Sequence, residues 1–230
     1  MHANSRTVES LQQAPHPQLG TLVLRHARHP WQKPPAPYSV AAFARLLAAW
    51  DKRTPLLLDA GCGTGASTVA LAQLYPEHLA IGIDQSAARL TQGENARRGA
   101  SAPENLLLLR ADVVDLWSLM ARERIHLARH YLLYPNPWPK PPQVMRRWPA
   151  HPAFPLLLSL GGMLECRSNW RVYVEEFSHA VGLLRGQVPA VTSFTPDEPL
   201  TPFERKYRDS GHALWRAAID LDAGSSPAAP

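Results

Sequence analysis

The sequence contains few of the residues that build disulfide frameworks, metal centres or membrane spans. Only two of its 230 residues are cysteines, Cys62 and Cys166, and neither they nor the histidines show metal-ligand spacing. No apolar run approaches the roughly 20 residues needed to span a bilayer. The N-terminus also lacks the apolar stretch of a signal peptide. We therefore expect a cytoplasmic protein without a metal, a disulfide or a membrane contact.

Proline and positive charge, by contrast, are abundant. The 23 prolines are about twice the average share and concentrate in residues 15–37, 135–155 and 189–202. These stretches are predicted to be loops or linkers, because proline disrupts helix interiors and central strands. A net charge of +5 and a pI near 9.5 favour a polyanionic partner.

The length of the chain predicts one domain with extensions at both ends. Residues 1–37 are polar, proline-rich and basic, and we expect them to form an extended N-terminal arm. Residues 38–222 are predicted to form the domain. Residues 223–230 are small and polar, and we expect this tail to be disordered. The protein is expected to be a monomer or a weak dimer.

Short apolar segments alternate with amphipathic segments through the middle of the chain. Five segments have the composition of buried strands: PLLLDA, LAIGID, NLLLLRAD, HYLLY and GMLECRS. Helical patterns lie between them, and two further strands with a charged segment between them are predicted in residues 188–222. This alternation is typical of an α/β protein with a doubly wound, mostly parallel seven-stranded sheet.

Polar residues follow five of these strands at the point where each strand ends. In a doubly wound sheet, ligands bind at the carboxyl ends of the strands. The residues at those ends are, in order, Asp59 with the turn Gly61-Cys62-Gly63-Thr64-Gly65, then Asp84, Asp112, Asn136 and Asn169. One edge of the sheet is therefore predicted to form the functional site.

The glycine turn indicates the class of cofactor. Glycines permit positive φ and let the backbone approach a ligand closely. Asp84 stands 19 positions after Gly65, a spacing that suits a carboxylate reaching the two hydroxyls of a ribose. The Gly-Lys-Ser/Thr phosphate loop is absent, which disfavours ATP or GTP hydrolysis, and so is the dinucleotide pattern G-x-G-x-x-G. The pattern favours an adenosine-type cofactor.

The segment "LLLDAGCGTG … GID … NLLLLRAD" resembles the cofactor half of class I S-adenosylmethionine-dependent methyltransferases. The resemblance implies a Rossmann-like class I methyltransferase fold and S-adenosyl-L-methionine as cofactor. It implies that the three glycines pass beneath the methionine moiety, that Asp84 holds the ribose and that Asp112 lies beside the adenine, with Asp59 in the same cofactor-binding set. For Asp112, a helix N-cap is the alternative interpretation.

The second half narrows the resemblance to one family. "YPNPWPK … RRW … ECRSNWRVY … TPFERK" is similar to bacterial tRNA (guanine-N7-)-methyltransferases from about Thr54 to Asp220. The family pattern is F-P-D-P-W-P-K, then a His with Lys-Arg-Arg, then T-D-x-x-x-Y, then T-x-F-E. The resemblance implies methyl transfer to guanine 46 of tRNA. It places a catalytic and substrate-binding residue at Asn136, and further substrate-binding residues at Lys140, Arg146, Asn169, Thr201 and Glu204.

Three positions depart from the family pattern. Asn136 and Asn169 replace aspartates, and Gln143 replaces the histidine. The N7 atom of guanine carries a lone pair and no proton, so methylation needs alignment of the reactants and no general base. Base recognition is more sensitive, because a carboxylate accepts from both N1–H and the 2-amino group whereas an amide has one acceptor oxygen. A mismatched buried hydrogen bond costs roughly 1–3 kcal/mol.

Two other functions stay open at this point. Asn136-Pro137-Trp138 is similar to the N-P-P-Y/F/W loop of methyltransferases that act on exocyclic amines, although the second proline is missing. The first alternative is therefore methyl transfer to an exocyclic amine of another nucleobase or to a small molecule. Alternatively, the chain binds cofactor or RNA without transferring a methyl group. If the substrate is tRNA, Lys140, Arg146 and Arg147 are expected to contact its phosphates.

Overall fold

A seven-stranded, mostly parallel sheet organises the protein. The computed structural model describes residue 5, residues 7–96, residue 98 and residues 102–223. The strand order is β3-β2-β1-β4-β5-β7-β6, with β7 antiparallel to both of its neighbours. This arrangement confirms the predicted doubly wound class I methyltransferase fold.

The described residues form these elements in chain order: α1 (Leu19–Arg28), α2 (Pro37–Ala49), β1 (Leu56–Ala60), α3 (Ala66–Leu74), β2 (Leu79–Asp84), α4 (Ala87–Ala96), β3 (Leu106–Arg110), α5 (Val113–Arg122), β4 (Arg129–Leu133), α6 (Phe154–Ser159), β5 (Met163–Ser168), α7 (Arg171–Arg185), β6 (Thr192–Phe194), α8 (Pro202–Asp209) and β7 (Leu214–Asp220). Two short 3-10 helices, Pro141–Arg146 and Trp148–Ala150, lie between β4 and α6.

The central strands are apolar on both faces because helices cover both faces. Successive side chains of a strand point to opposite sides, so Leu56 and Leu58 join the larger core while Leu57 joins a smaller one. The larger core includes residues of α1, α2, α5, α6 and α7, and the smaller one includes Leu71 of α3. This double burial explains why the strands read as continuous apolar runs in the sequence.

Strand register brings the carboxyl ends of β1 to β5 to one edge of the sheet. Ala60 pairs with Ile83, Asp84 with Arg110, and Leu133 with Arg167. Because β7 runs antiparallel to β5, its first residues lie at the same edge, and the β6–β7 connection that contains α8 lies there too. The strand order reverses between β1 and β4, which is the switch point where ligands bind in such sheets.

The predicted extended arm was wrong over ten of its residues. Leu19–Arg28 form helix α1, whose Leu19, Leu22 and Val23 are buried. The helix packs against α7. Its apolar residues recur at positions i, i+3 and i+4, a helical spacing that the prolines on either side obscured. The part of the arm that the structure describes is therefore packed on the domain, and the division at residue 37 stays a prediction.

Several predicted elements differ in detail. The helix predicted from Ser39 begins at Pro37, and the Ser39 side chain is buried, where its Oγ accepts a hydrogen bond from the backbone N–H of Asp112 at 3.1 Å. The charged segment before the last strand is helix α8. The predicted tail, 223–230, lies outside the described residues except for Ala223. Within the described part of the chain, no helix combines the length and apolarity that crossing a membrane requires.

Candidate active site

The turn after β1 has the backbone that its glycines predict. Gly61 (φ 83°), Gly63 (φ 61°) and Gly65 (φ 76°) all lie in the left-handed region. A Cβ at Gly61 or Gly63 would meet nothing within 4 Å, whereas one at Gly65 would meet Leu108 Cδ1 at 2.8 Å. The first two glycines therefore border open space, and the third is required for packing of the turn against β3.

Asp84 closes this turn from the end of β2. Its Oδ2 accepts a hydrogen bond from the Gly63 N–H at 3.0 Å, and its Oδ1 accepts one from the Ser86 N–H at 2.8 Å. The exposed Arg89 lies 3.5 Å from Oδ2. Asp84 is a carboxylate fixed beside an open glycine cradle, the turn from Gly61 to Gly65. An adenosyl group needs this combination: an acceptor for its ribose hydroxyls, and backbone that it can approach closely. The described residues fit the predicted cofactor.

Asp59 is buried beneath the same turn. Its Oδ2 accepts hydrogen bonds from Ser67 Oγ at 2.6 Å and Thr68 Oγ1 at 2.8 Å, both in the first turn of α3. The side chain is 1 % exposed. Burial raises the pKa of Asp59 to about 6, against the opposing effect of the two hydroxyl donors. Asp59 therefore ties the end of β1 to α3, and its predicted contact with the cofactor stays a prediction.

Asp112 caps helix α5. Its Oδ1 accepts hydrogen bonds from the N–H groups of Val114 at 2.9 Å and Asp115 at 3.2 Å. This is the capping role that the sequence left as the alternative. The side chain is half-buried at the same edge as Asp84, and its predicted contact with the adenine stays a prediction.

The loop after β4 is strained at two residues. Tyr134 (φ 50°) and Trp138 (φ 44°) are left-handed without being glycine, a conformation that costs of order 1–3 kcal/mol and persists only where the surroundings enforce it. Asn136 lies midway between them, is exposed, and accepts a hydrogen bond at Oδ1 from the Trp138 N–H at 3.3 Å. The sequence predicted stiffness from the flanking prolines, and the two strained residues add a second constraint.

Arg147 enforces one of these conformations. Its guanidinium donates to the Trp138 carbonyl oxygen from Nε at 3.1 Å and from Nη2 at 3.0 Å, and Nη1 donates to Glu176 Oε1 at 2.7 Å. The Arg147 side chain is fully buried. The prediction that Arg147 contacts phosphate is therefore wrong, because the group that would bind it is sealed inside the protein.

Thr201 and Glu204 build the start of α8. Thr201 Oγ1 accepts from the Glu204 N–H at 2.8 Å and so caps the helix. Glu204 is fully buried, and its Oε1 accepts from Tyr134 Oη at 2.8 Å and from Arg167 Nη1 at 3.0 Å. Its Oε2 accepts from the Leu200 N–H at 2.6 Å. Both predicted substrate residues are thus occupied within the protein, and their contact with a base stays a prediction.

The remaining predicted substrate residues, Lys140, Arg146 and Asn169, follow the carboxyl ends of β4 and β5 in the sequence. Lys140 and Arg146 are exposed, and the Arg146 guanidinium lies 4.7 Å from the centre of the Trp138 ring. Asn169 is half-buried, and its Nδ2 lies 3.3 Å from Nδ1 of His212. The edge therefore combines a glycine cradle, amide side chains and exposed cations.

Sequence reasoning missed Glu176, which anchors this loop through Arg147. A signal was present, since Glu176 falls on the buried stripe of α7 between Tyr173, Phe177 and Ala180. A charged residue on an apolar stripe indicates a buried partner. Arg167 gave no such signal, because its partner Glu204 is 37 residues away in the sequence.

The family model and the relatives that match this chain are described as methyltransferases. The model of a family described as putative methyltransferase matches residues 53–217. The tRNA (guanine-N(7)-)-methyltransferase of Salmonella typhimurium is 28 % identical over 174 residues, covering 72 % of each chain. The Bordetella pertussis enzyme of that name is 29 % identical over 195 residues, 80 % of this chain and 73 % of the relative. The Verminephrobacter eiseniae enzyme is 30 % identical over 72 % of this chain and 62 % of the relative.

Solved structures share the fold at low identity. The 16S rRNA methyltransferase KamB superposes with a TM-score of 0.55 at 19 % identity, covering 80 % of this chain and 94 % of that chain. The 16S rRNA (adenine(1408)-N(1))-methyltransferase of Catenulisporales acidiphilia, solved with the cosubstrate SAM, superposes with a TM-score of 0.54 at 18 % identity over 82 % and 92 %. These likenesses establish the architecture of the sheet and its helices.

Proposed function

Because the chain belongs to the family described as putative methyltransferases, we propose that it transfers a methyl group from S-adenosyl-L-methionine to N7 of a guanine in tRNA, at position 46 as the sequence resemblance implies. One observation carries the proposal: Asp84 is fixed on the open glycine turn, at 3.0 Å from the Gly63 N–H, in a chain similar to several tRNA (guanine-N(7)-)-methyltransferases.

The glycine turn and Asp84 are proposed to hold the cofactor. When bound, S-adenosyl-L-methionine supplies a methyl group on a sulfonium, which is an activated donor. Gly61 and Gly63 let the backbone approach it, and Asp84 accepts from the ribose hydroxyls through lone pairs that its two backbone bonds leave free. Asp112 is proposed to lie beside the adenine, and Asp59 to keep the turn in place from below.

The protein's task in this reaction is alignment. Guanine N7 needs no base to remove a proton, so rate depends on holding the base against the methyl group. Asn136 is suited to that task because it sits between two strained residues whose surroundings fix them. Tyr134 is held through its hydroxyl by Glu204, and Trp138 is held through its carbonyl by Arg147. A rigid loop keeps the base from moving away from the donor.

Asn136 offers one acceptor oxygen to a base. Its Oδ1 accepts from the Trp138 N–H and keeps a second lone pair, which can accept from one of the two guanine donors, N1–H or the 2-amino group. Asn169 is proposed as a second contact to the base.

A tRNA substrate fits the charge at this edge. Lys140 and Arg146 are exposed beside the Asn136 loop, and the chain carries a net charge of +5. Cations of this kind contribute affinity for phosphates without reading the base. The base itself is then selected at the loop.

The proposal is tested with purified protein, methyl-labelled S-adenosyl-L-methionine and total tRNA from a strain that lacks this gene. Nucleoside mass spectrometry should detect 7-methylguanosine. Label in an N-methylated adenosine would instead support the exocyclic-amine function. If no label enters tRNA while calorimetry shows that the protein binds S-adenosyl-L-methionine, the result would support the alternative in which the chain binds cofactor or RNA without transferring a methyl group.

A further inference from the structure

Helix α8 presents one aromatic residue to solvent beside the candidate site. Phe203 is 57 % exposed, although it lies in the same T-x-F-E motif as two buried residues. Thr201 is used as the helix cap, and Glu204 is bonded to Tyr134, Arg167 and the Leu200 backbone. The motif thus fixes the start of α8 to the strand ends, and Phe203 is the aromatic residue that this framework holds outward.

Four rings connect Phe203 with the candidate site. We call them the aromatic ladder: Phe203, Tyr207, His212 and Tyr134. Phe203 stacks on Tyr207 with ring centres 6.2 Å apart and planes 25° apart, and Tyr207 stacks on His212 at 5.3 Å and 13°. Tyr207 also contacts Tyr134 at 5.6 Å. The aromatic ladder reaches the site at two of its rings. Tyr134 lies two positions before Asn136 in the sequence, and His212 contacts Asn169.

The ring is flanked by positive charge on its own helix. Arg205 and Lys206 are exposed and form no ion pair with any residue that the structure describes. The exposed Lys140 and Arg146 follow Asn136 in the sequence, and the Arg146 guanidinium lies over the Trp138 ring. A planar apolar face among unpaired cations matches one type of partner, an unpaired nucleobase with its phosphates.

We propose that Phe203 is a stacking platform for a base that adjoins the methylated nucleotide in the RNA substrate, with Arg205 and Lys206 contacting the neighbouring phosphates. This inference rests on the proposed function and adds to it a second point of RNA contact. The platform takes a base that is unstacked from the RNA, because a duplex offers no free ring face. It reads no sequence, since every base has a face that can stack.

A protein partner fits this surface less well. Protein interfaces have a core depleted of charge and enriched in several clustered apolar residues. On α8 the exposed apolar surface is one ring, and the other exposed residues of the first two turns are Pro202, Arg205 and Lys206. One exposed ring that stacks on further rings is about the size of a nucleobase. It is smaller than the clustered apolar core of a protein interface.

Binding of end-labelled total tRNA from a strain lacking the gene, measured by fluorescence anisotropy, tests the platform. We expect Phe203→Ala and Phe203→Leu to weaken binding at least about fivefold, since stacking of one base contributes that much or more. Phe203→Tyr should bind within about twofold of the wild type. Leu74→Ala is the matched control, because Leu74 is a large hydrophobe with 58 % exposure at the end of α3, which lies at the opposite edge of the sheet.

Salt dependence separates stacking from charge. The slope of log affinity against log salt should be unchanged in Phe203→Leu and should fall by roughly 0.7 to 0.9 in each of Arg205→Gln and Lys206→Gln. Circular dichroism and thermal unfolding of each variant check that α8 still folds. A folded Phe203→Leu protein that binds like the wild type, or a Leu74→Ala protein that binds equally weakly, would overturn the platform.

The two proposals fail in different ways. If the wild type makes 7-methylguanosine while Phe203→Leu binds tRNA normally, the platform is wrong and the proposed function stands. If Phe203→Leu weakens tRNA binding as expected while the wild type makes no 7-methylguanosine, the platform stands and the proposed reaction is wrong. A wild type that binds no tRNA overturns both.

Discussion

Arg147 and Glu176 form an ion pair at 2.7 Å with both side chains fully buried. The pair joins the loop after β4 to helix α7, because the same guanidinium donates two hydrogen bonds to the Trp138 carbonyl. The N-terminal segment joins it too, since Gln12 Nε2 and the His16 N–H both donate to Glu176 Oε1, at 2.7 and 3.0 Å. The conformation of the Asn136 loop therefore depends on α7 and on residues near the N-terminus.

Removing one partner of this pair should cost much of the protein's stability. Glu176→Gln leaves the Arg147 charge buried without a counter-charge, and we expect the free energy of unfolding to fall by about 3–5 kcal/mol in urea denaturation. The double variant Arg147→Met with Glu176→Leu should regain part of that loss, because no charge is left buried without a counter-charge. Recovery is incomplete because the Trp138 carbonyl, Gln12 and the His16 N–H lose their hydrogen bonds.

Activity should not recover with stability in that double variant. The Trp138 carbonyl loses its donor, so we expect kcat/KM for methyl transfer to stay at least tenfold below the wild type, by analogy with other positioning losses. A double variant with restored stability and wild-type kcat/KM would show that the pair stabilises the fold without positioning the loop. Cofactor affinity serves as the control and should be unchanged.

The fold was largely predictable because its strands are buried on both faces. Such strands read as apolar runs, and a polar residue at each end marks the edge, as Asp59 and Asp84 do. Helix α1 was not predictable in the same way, because its apolar stripe is short and lies between prolines. Its stability comes from packing on α7, a contact about 150 residues distant that no local pattern reports.

The site was predictable in position and less so in function. Residue types at the strand ends indicated a cofactor turn, and the structure gives that turn positive φ at its three glycines. The burial of Arg147 and Glu204 was not predictable, because it follows from partners on other elements, Glu176 and Arg167. The sequence identifies a charged residue in a motif, but it does not show which residues of the same protein already pair with that charge.

Gly63→Ala should weaken cofactor binding beyond its effect on stability. The left-handed φ of 61° makes any side chain costly by roughly 1–2 kcal/mol, and the new Cβ would enter the open cradle. We expect the Kd for S-adenosyl-L-methionine, measured by calorimetry, to rise at least about tenfold, because the cradle needs the backbone to approach its ligand closely.

Gly186→Ala is the matched control for that change. Gly186 ends α7 with φ 72°, and a Cβ there would also meet nothing within 4 Å, so the backbone cost should be similar. Its position at the end of α7 is remote from the strand ends that carry the site. Equal losses of cofactor affinity in both variants would mean that the Gly63 effect is one of general stability.

The buried Asp59 predicts a specific pH dependence of stability. Burial raises its pKa in the folded protein to about 6, so between the unfolded value of 3.8 and about pH 6 the folded state holds more protons than the unfolded state. Stability from this group is therefore present at low pH and is lost as pH rises through that window. The shift corresponds to about 3 kcal/mol.

Asp59→Asn isolates this contribution, since the amide oxygen can still accept from Ser67 and Thr68 without carrying charge. The difference in free energy of unfolding between Asp59→Asn and the wild type should move in favour of the variant by about 2 kcal/mol from pH 4 to pH 7, the part of the full shift that falls in this range. Denaturant titrations at several pH values measure it. A difference that stays constant with pH would mean that the Asp59 pKa is not raised in the folded protein.

Asn136→Asp should distinguish the proposed base from its alternative. A carboxylate keeps the hydrogen bond from the Trp138 N–H, so the loop retains its conformation. It also accepts from both N1–H and the 2-amino group of guanine, whereas the amide accepts from one donor. On that basis we expect kcat/KM for 7-methylguanosine formation to rise about tenfold, a gain within the roughly 1–3 kcal/mol of one corrected hydrogen bond.

Asn136→Ala, which loses the loop contact and the base contact together, should have a kcat/KM below that of the wild type by a similar factor. If Asn136→Asp instead loses all transfer, or if the wild type labels an exocyclic amine that the variant no longer labels, then the amide is required and guanine N7 is not the target.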